Sequence, residues 1–285
     1  MFTYSAFADE ISPDLQTQME VLGRYGIAYI EARGIDGKNI ADYTPGQAKE
    51  IKKILDNNGF KLSALGSPIG KIHITDDFAP ELKRFENMLE LADIFETPYI
   101  RMFSFFMEAA DAPKYRDAVL ERWQQYIDAA KGHSVILLHE NEKDIYGDTA
   151  LRCKDLLDTL HCDYLKATFD PANFVQCGED VWQASELLKN DIAYVHIKDA
   201  KAADGSVVPA GQGDGHVVKI LTHLMQDGFN GFLSLEPHLG DFEGFADLEK
   251  QTAMVKKEAG GAEKFDVAFT ALSKIITGIG GQVTC

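Results

Sequence analysis

Cysteine is scarce in this chain: Cys153, Cys162, Cys177 and Cys285 are the only four, with no CxxC spacing and no dense framework. That excludes a disulfide-stapled scaffold and a paired-cysteine motif, and the four read as reduced thiols of a cytoplasmic protein. Cys177 lies near Asp170 in sequence, yet it too reads as inert, because reactivity needs a lowered pKa. The first ten residues lack a basic stretch followed by an apolar run, so no secretory signal is expected. No apolar run approaches the roughly 20 residues that span a bilayer, so no membrane partner is expected. Positive charge is also short: 28 Lys and Arg face 45 Asp and Glu, a net charge of −17. Such a surface repels phosphate backbones and argues against nucleic acid as a partner. It leaves room for a basic pocket.

What is present is a full core and a regular alternation. Of 285 residues, 45% are hydrophobic and 26% charged, the balance of a globular protein. Apolar or β-branched runs at 3–8, 28–33, 61–67, 99–105, 135–142, 165–170, 193–198 and 231–237 predict strands. Amphipathic segments at 13–25, 45–58, 80–95, 113–131, 149–160, 181–189, 216–227 and 262–277 predict the helices between them. Pro13, Pro45, Pro80 and Pro113 fall near helix starts. Gly26, Gly59, Gly132 and Gly228 follow helix ends. Eight β-then-α units imply parallel strands and right-handed crossovers. With no Gly-rich dinucleotide fingerprint after the first strand and no linker-like stretch, the expectation is one (β/α)8 barrel domain over 1–285.

Barrel chemistry sits at the C-terminal ends of strands. Here strand five ends His139-Glu140-Asn141-Glu142 and strand six Phe169-Asp170, while strand seven carries His196-Ile197-Lys198 and strand eight Leu235-Glu236-Pro237-His238. Alternation of faces puts Ile136, Leu138, Glu140 and Glu142 together, likewise Tyr194, His196 and Lys198, and Ser234, Glu236 and His238. The charged members belong to the interior set. Glu140, Asp170, His196 and Glu236 therefore converge from four adjacent strands, and a divalent cation relieves their repulsion most simply. Three oxygen ligands and one nitrogen suit Mn²⁺ first, with Mg²⁺, Co²⁺ and Zn²⁺ as alternatives. The rival reading is a salt-bridged barrel mouth without metal.

The strings LLHENE, TFDPANF, VHIKDA and LSLEPHL, in this order and spacing, resemble the xylose isomerase-like TIM barrels grouped as sugar phosphate isomerases/epimerases. The resemblance spans essentially the whole chain. It implies metal ligands at Glu140, Asp170, His196 and Glu236, with Glu140 and Glu236 as general acid and base. The implied chemistry is proton transfer on a small sugar-like substrate through a metal-bound enediolate. The resemblance also leaves a homo-oligomer open. Two positions depart from the ketose epimerase pattern: Asn173 stands where a histidine is usual, and Ala202 where an arginine is. A metal-dependent lyase or dehydratase on a keto-sugar or cyclitol therefore stays in view, as does a non-catalytic sugar-binding barrel. With eight histidines, the chain is a poor match to endonuclease IV.

Arg33, Lys71, Arg101 and Lys198 place four cations on the expected active face, which points to a phosphorylated or carboxylated substrate. Each has a plainer role as partner of a nearby acid, Arg33 with Glu31 for one. Glu142 and Asn173 join these cations as candidate substrate-binding residues. Gly211-Gln212-Gly213-Asp214-Gly215 offers backbone N–H groups to an anion or is simply a loop; it is not a P-loop. His73 and His238 lie within reach of the pocket. Phe103, Phe105 and Phe106 form either a pocket wall or core filling.

Overall fold

The short β-branched runs become the staves of a closed barrel. The computed structural model describes residues 1–239 and 261–284, so Cys285 lies outside them. The staves are β1 (Phe2–Ala6), β2 (Tyr29–Ala32), β3 (Lys61–Gly66), β4 (Tyr99–Met102), β5 (Ile136–Glu140), β6 (Leu165–Phe169), β7 (Ile192–Ile197) and β8 (Gly231–Leu235). Each pairs in parallel with the next, and β1 pairs with β8 from Phe2↔Gly231 to Ala6↔Leu235, which closes the ring. This is a (β/α)8 barrel.

The outer layer is α1 (Leu15–Arg24), α2 (Pro45–Asn57), α3 (Ala79–Phe95), α4 (Ala112–Ala129), α5 (Ala150–Leu160), α6 (Pro171–Gln176), α7 (Val181–Leu188), α8 (Val217–Gln226) and α9 (Gly261–Gly278). Local chemistry starts these helices. Asp14 accepts from Thr17 N, and Thr44 and Gln47 form a reciprocal capping box ahead of Pro45. The faces that carry Met19 and Leu22, or Phe85 and Met88, turn onto the sheet and form the main core. None of the described helices is long and apolar enough to cross a membrane.

Inside the ring lies a second, smaller apolar cluster of Ala64, Leu138 and Tyr194, flanked by Tyr99, Ile136 and Phe232. Its polar atoms are satisfied internally, with Tyr194 Oη 2.8 Å from Ser63 Oγ and Ser63 Oγ 2.6 Å from Ser5 Oγ. This plug is the floor on which the polar residues of the C-terminal end stand.

Three details differ from expectation. β4 stops at Met102 rather than at 105, because Phe103, Phe105 and Phe106 turn their N–H groups to Ile69, Gly70 and Ile72 carbonyls. A short helix, α6, precedes α7, started by Asp170 as cap and Pro171 in its first turn. Val283–Thr284 adds a further strand parallel to β1.

Candidate metal and acid–base site

Four side chains meet above the plug. Glu140 is the last residue of β5, Asp170 links β6 to α6, His196 lies near the end of β7, and Glu236 follows β8. All four are buried, and one donor atom from each lies within 4.8 Å of the others. The imidazole occupies the middle. Its Nδ1 is 3.0 Å from Glu140 Oε1, 3.5 Å from Glu236 Oε2 and 3.7 Å from Asp170 Oδ2. Its Nε2 faces Glu31 Oε1 at 3.2 Å, and the Phe7 ring stands edge-on to it at 5.1 Å. Glu31 therefore fixes which ring nitrogen points to the carboxylates.

Asp170 divides its two oxygens. Oδ1 accepts from Asn173 N at 2.9 Å as the cap of α6. Oδ2 is buried without a hydrogen bond among the described residues, although the Lys198 ammonium lies 3.0 Å away. Asn141 holds the Asp170 backbone from both sides, through N–H and C=O bonds of 2.9 Å each. Three carboxylates and an inward-facing ring nitrogen, all buried, make a set that fits a hard or borderline divalent ion. These residues could hold one.

The cations expected at the mouth are all there, and each faces acids. Arg33 reaches Asp9 at 2.8 Å, Glu10 at 3.2 Å and Glu236 at 3.5 Å. Arg101 bonds Glu140 Oε2 at 3.1 Å, and Lys198 lies 3.0 Å from Glu236 Oε2. Lys71 is 3.5 Å from Glu142 Oε2. Asn173 donates to Glu140 Oε1 at 3.3 Å. The expected Arg33–Glu31 pair does not form, since Glu31 turns inward to His196 while Arg33 spans the gap to the first and last units.

Electrostatics follow from this packing. Burial opposes ionisation of Glu140, yet the charges of His196 and Arg101 draw its carboxyl pKa down to about 2. Burial likewise opposes ionisation of Glu236, and Lys198, His238, His196 and Arg33 hold it well below the usual carboxylate range. The Lys198 ammonium loses solvation by burial, but Asp170 and Glu236 push its pKa well up. The site is a buried network of compensated charges, in which deleting one partner strands another.

Sequence reasoning did not find Glu31, Glu10, Asp9 or Asn141. Glu31 shares its strand face with Arg33, a parity signal that was available. His238, held in reserve, belongs at the site: its ring nitrogen is 3.1 Å from Glu10 and 3.3 Å from Glu236. His73 is exposed and lines an adjoining chamber. Phe103 and Phe105 are fully buried, whereas Phe106 is half-buried and lines that chamber. The glycine loop 211–215 already has its anion, because Asp199 accepts from Gly211, Gly213 and Gly215 N–H groups at 2.9–3.0 Å. Burial and then the nearby Glu142 push the Cys177 thiol up to about 12, the direction that disfavours a reactive thiolate.

The comparisons with known proteins agree with this fold. A family model described as xylose isomerase-like TIM barrel matches residues 19–258. The 2-epi-5-epi-valiolone 7-phosphate 2-epimerase of an Actinoplanes species is 27% identical over 195 residues, covering 67% of this chain and 70% of that protein. D-psicose 3-epimerase from Clostridium cellulolyticum H10, solved with D-tagatose, superposes with a TM-score of 0.74 at 15% identity, covering 96% of this chain and 98% of its own. The probable 3-DHS dehydratase of petrobactin synthesis from Bacillus anthracis gives a TM-score of 0.66 at 19% identity, over 87% and 96% of the two chains.

Proposed function

This chain belongs to the xylose isomerase-like TIM barrel family, and on that premise we propose that it is a divalent-metal-dependent sugar isomerase or epimerase. The observation that carries this reading is the convergence of Glu140, Asp170, His196 and Glu236 donor atoms within 4.8 Å. These four residues would hold one divalent ion, Mn²⁺ in the first instance. When bound, the ion supplies stabilisation of the negative charge that builds on a substrate oxygen as the neighbouring C–H proton leaves.

Glu140 and Glu236 form the acid–base pair. Their oxygens flank the same His196 nitrogen at 3.0 and 3.5 Å, so both reach the small volume in which the reacting carbon must sit. Such transfer is typically worth about 10²–10⁴-fold in rate. Arg33, Lys71, Arg101, Lys198, Glu142 and Asn173 orient substrate hydroxyls or an anionic group. Lys198 and Arg101, beside these carboxylates, would meet a phosphate or carboxylate on the substrate. The phosphorylated substrate named for the Actinoplanes relative supports this.

A second reading rests on Asn173. Its amide nitrogen is committed to Glu140 Oε1 and Asn141 O, and Ala202 is exposed, so the histidine and arginine usual in ketose epimerases have no counterpart. The same proton removal followed by loss of a β-substituent makes the enzyme a lyase or dehydratase.

The test combines metal content with solvent deuterium exchange into ketoses, sugar phosphates and hydroxy-keto acids. About one bound ion per chain, with exchange beside a carbonyl, supports isomerisation; exchange with loss of a substituent selects the lyase. Glu236→Gln should keep the fold and lose at least 10²-fold in turnover. Near-normal turnover in that variant, or no metal uptake even with added Mn²⁺, overturns the assignment.

A further inference from the structure

The space lined by Glu140 and Glu236, two of the four donors, is small. Bounded by the described residues, it measures about 40 Å³, room for three or four water molecules at roughly 10–15 Å³ each. Sites for whole small molecules are usually about 300–1,000 Å³. Immediately beside it lies a chamber of about 630 Å³, and Lys71 and Glu142 line both.

This chamber is built. One wall is the segment after β3 and the next is the segment after β4, stitched together by Phe106 N to Ile72 O at 2.8 Å and Ile74 N to Phe106 O at 3.0 Å. The segment after β5 closes it through Met107 N to Asp144 O at 2.9 Å. Phe106 and Tyr115, both half-buried, line it with their rings, and Ile72 and Met107 add apolar surface. Among the described residues, Asp76, Glu108, Asp111, Glu142 and Asp144 line it together with Lys71, Lys143 and His73. Five carboxylates facing two ammonium groups repel a phosphate, while they accept hydrogen bonds from hydroxyl groups.

We propose that the substrate is a glycoside-like molecule whose reacting sugar unit meets the four donors and whose second, uncharged and hydroxyl-bearing ring occupies this chamber. The proposal rests on the function proposed above and names the substrate class for it. An anionic group, where the substrate has one, sits at the Lys198 and Arg101 end and not in the chamber. Stacking on Phe106 and Tyr115 supplies affinity, as aromatic platforms do for flat rings.

Isothermal titration with and without Mn²⁺, using one keto-sugar, its carbonyl away from the anomeric carbon, as free monosaccharide, 1-phosphate, phenolic glycoside and disaccharide, tests this. The phenolic glycoside or the disaccharide should bind at least tenfold more tightly than the free sugar, and which of them wins identifies the second ring. Tyr115→Ala and Phe106→Ala should erase that advantage and leave binding of the free sugar unchanged. Tightest binding by the 1-phosphate, an advantage that survives both substitutions, or no binding by any glycoside overturns the proposal. Deuterium exchange on the same panel separates the two claims. Exchange that is fastest with the free sugar overturns the chamber's role alone. A glycoside advantage erased by the two substitutions supports the chamber, and if no compound then exchanges, only the proton-transfer reading falls.

Discussion

At the scale of single residues, Glu31 is the clearest lever. It is buried, it holds His196 Nε2 at 3.2 Å, and its second oxygen finds no hydrogen-bond donor among the described residues. Partners that orient a ligating histidine are typically worth about 10–100-fold in metal affinity. Glu31→Gln should therefore weaken Mn²⁺ binding by that factor while the circular dichroism spectrum stays unchanged; unaltered affinity would remove Glu31 from the site. The contrast with the four ligand candidates explains what a sequence can reveal. Strand alternation and barrel topology together make Glu140, Asp170, His196 and Glu236 neighbours before any coordinates exist. Glu31 is one of 45 acids in the chain, and its choice of His196 over Arg33 is decided by packing across the barrel.

At the scale of elements, the turn after β3 shows how a site is held from behind. Glu81, in the first turn of α3, accepts from Gly70 N at 2.7 Å and so pins the segment that carries Lys71. Gly70 has φ of +89°, and a Cβ there would sit 2.1 Å from Phe103 O. Gly70→Ala combines positive φ with overpacking against backbone and should cost about 1–3 kcal/mol, read from urea unfolding. Burial raises the Glu81 pKa, against the lowering effects of the Gly70 N–H and Arg84. A carboxyl raised in the folded state contributes stability that is complete below the unfolded pKa and is lost as pH rises through the folded one. Glu81→Gln keeps the acceptor and removes the ionisation. Its melting temperature should rise relative to the parent as pH climbs above the ordinary carboxyl value of 4.5, and a difference that stays flat with pH would show that the Glu81 pKa is not raised by folding. The eight strand–helix units were legible because their periods switch from 2 to 3.6 at each boundary. The stitching of residues 69–74 to 103–106 was not, since it is a register between two loops.

At the scale of the molecule, a buried acidic cluster is a store of repulsion that a cation relieves. A ligand that binds only the folded chain stabilises it by about 2.7 kcal/mol at a hundredfold excess over Kd. For a barrel of this size that is on the order of 5–10 °C in Tm. Chelator-treated protein should gain that much with Mn²⁺ and nothing with K⁺ at equal ionic strength. No differential shift would mean that Lys198 and the arginines already satisfy the cluster.

The seam between β1 and β8 runs through the site. His238 N donates to Glu10 across 228 positions of sequence, and Arg33 reaches Glu236 across 203. Contacts so distant along the chain form slowly, because the entropy of drawing the ends together must be met before they return any energy. A barrel still open along this seam can gather Glu140, Asp170 and His196 from three consecutive strands, but it lacks Glu236 and its arginine brace. On the proposed reading, ion binding at full affinity would report a finished circle, in which the first and last strand–helix units have found each other.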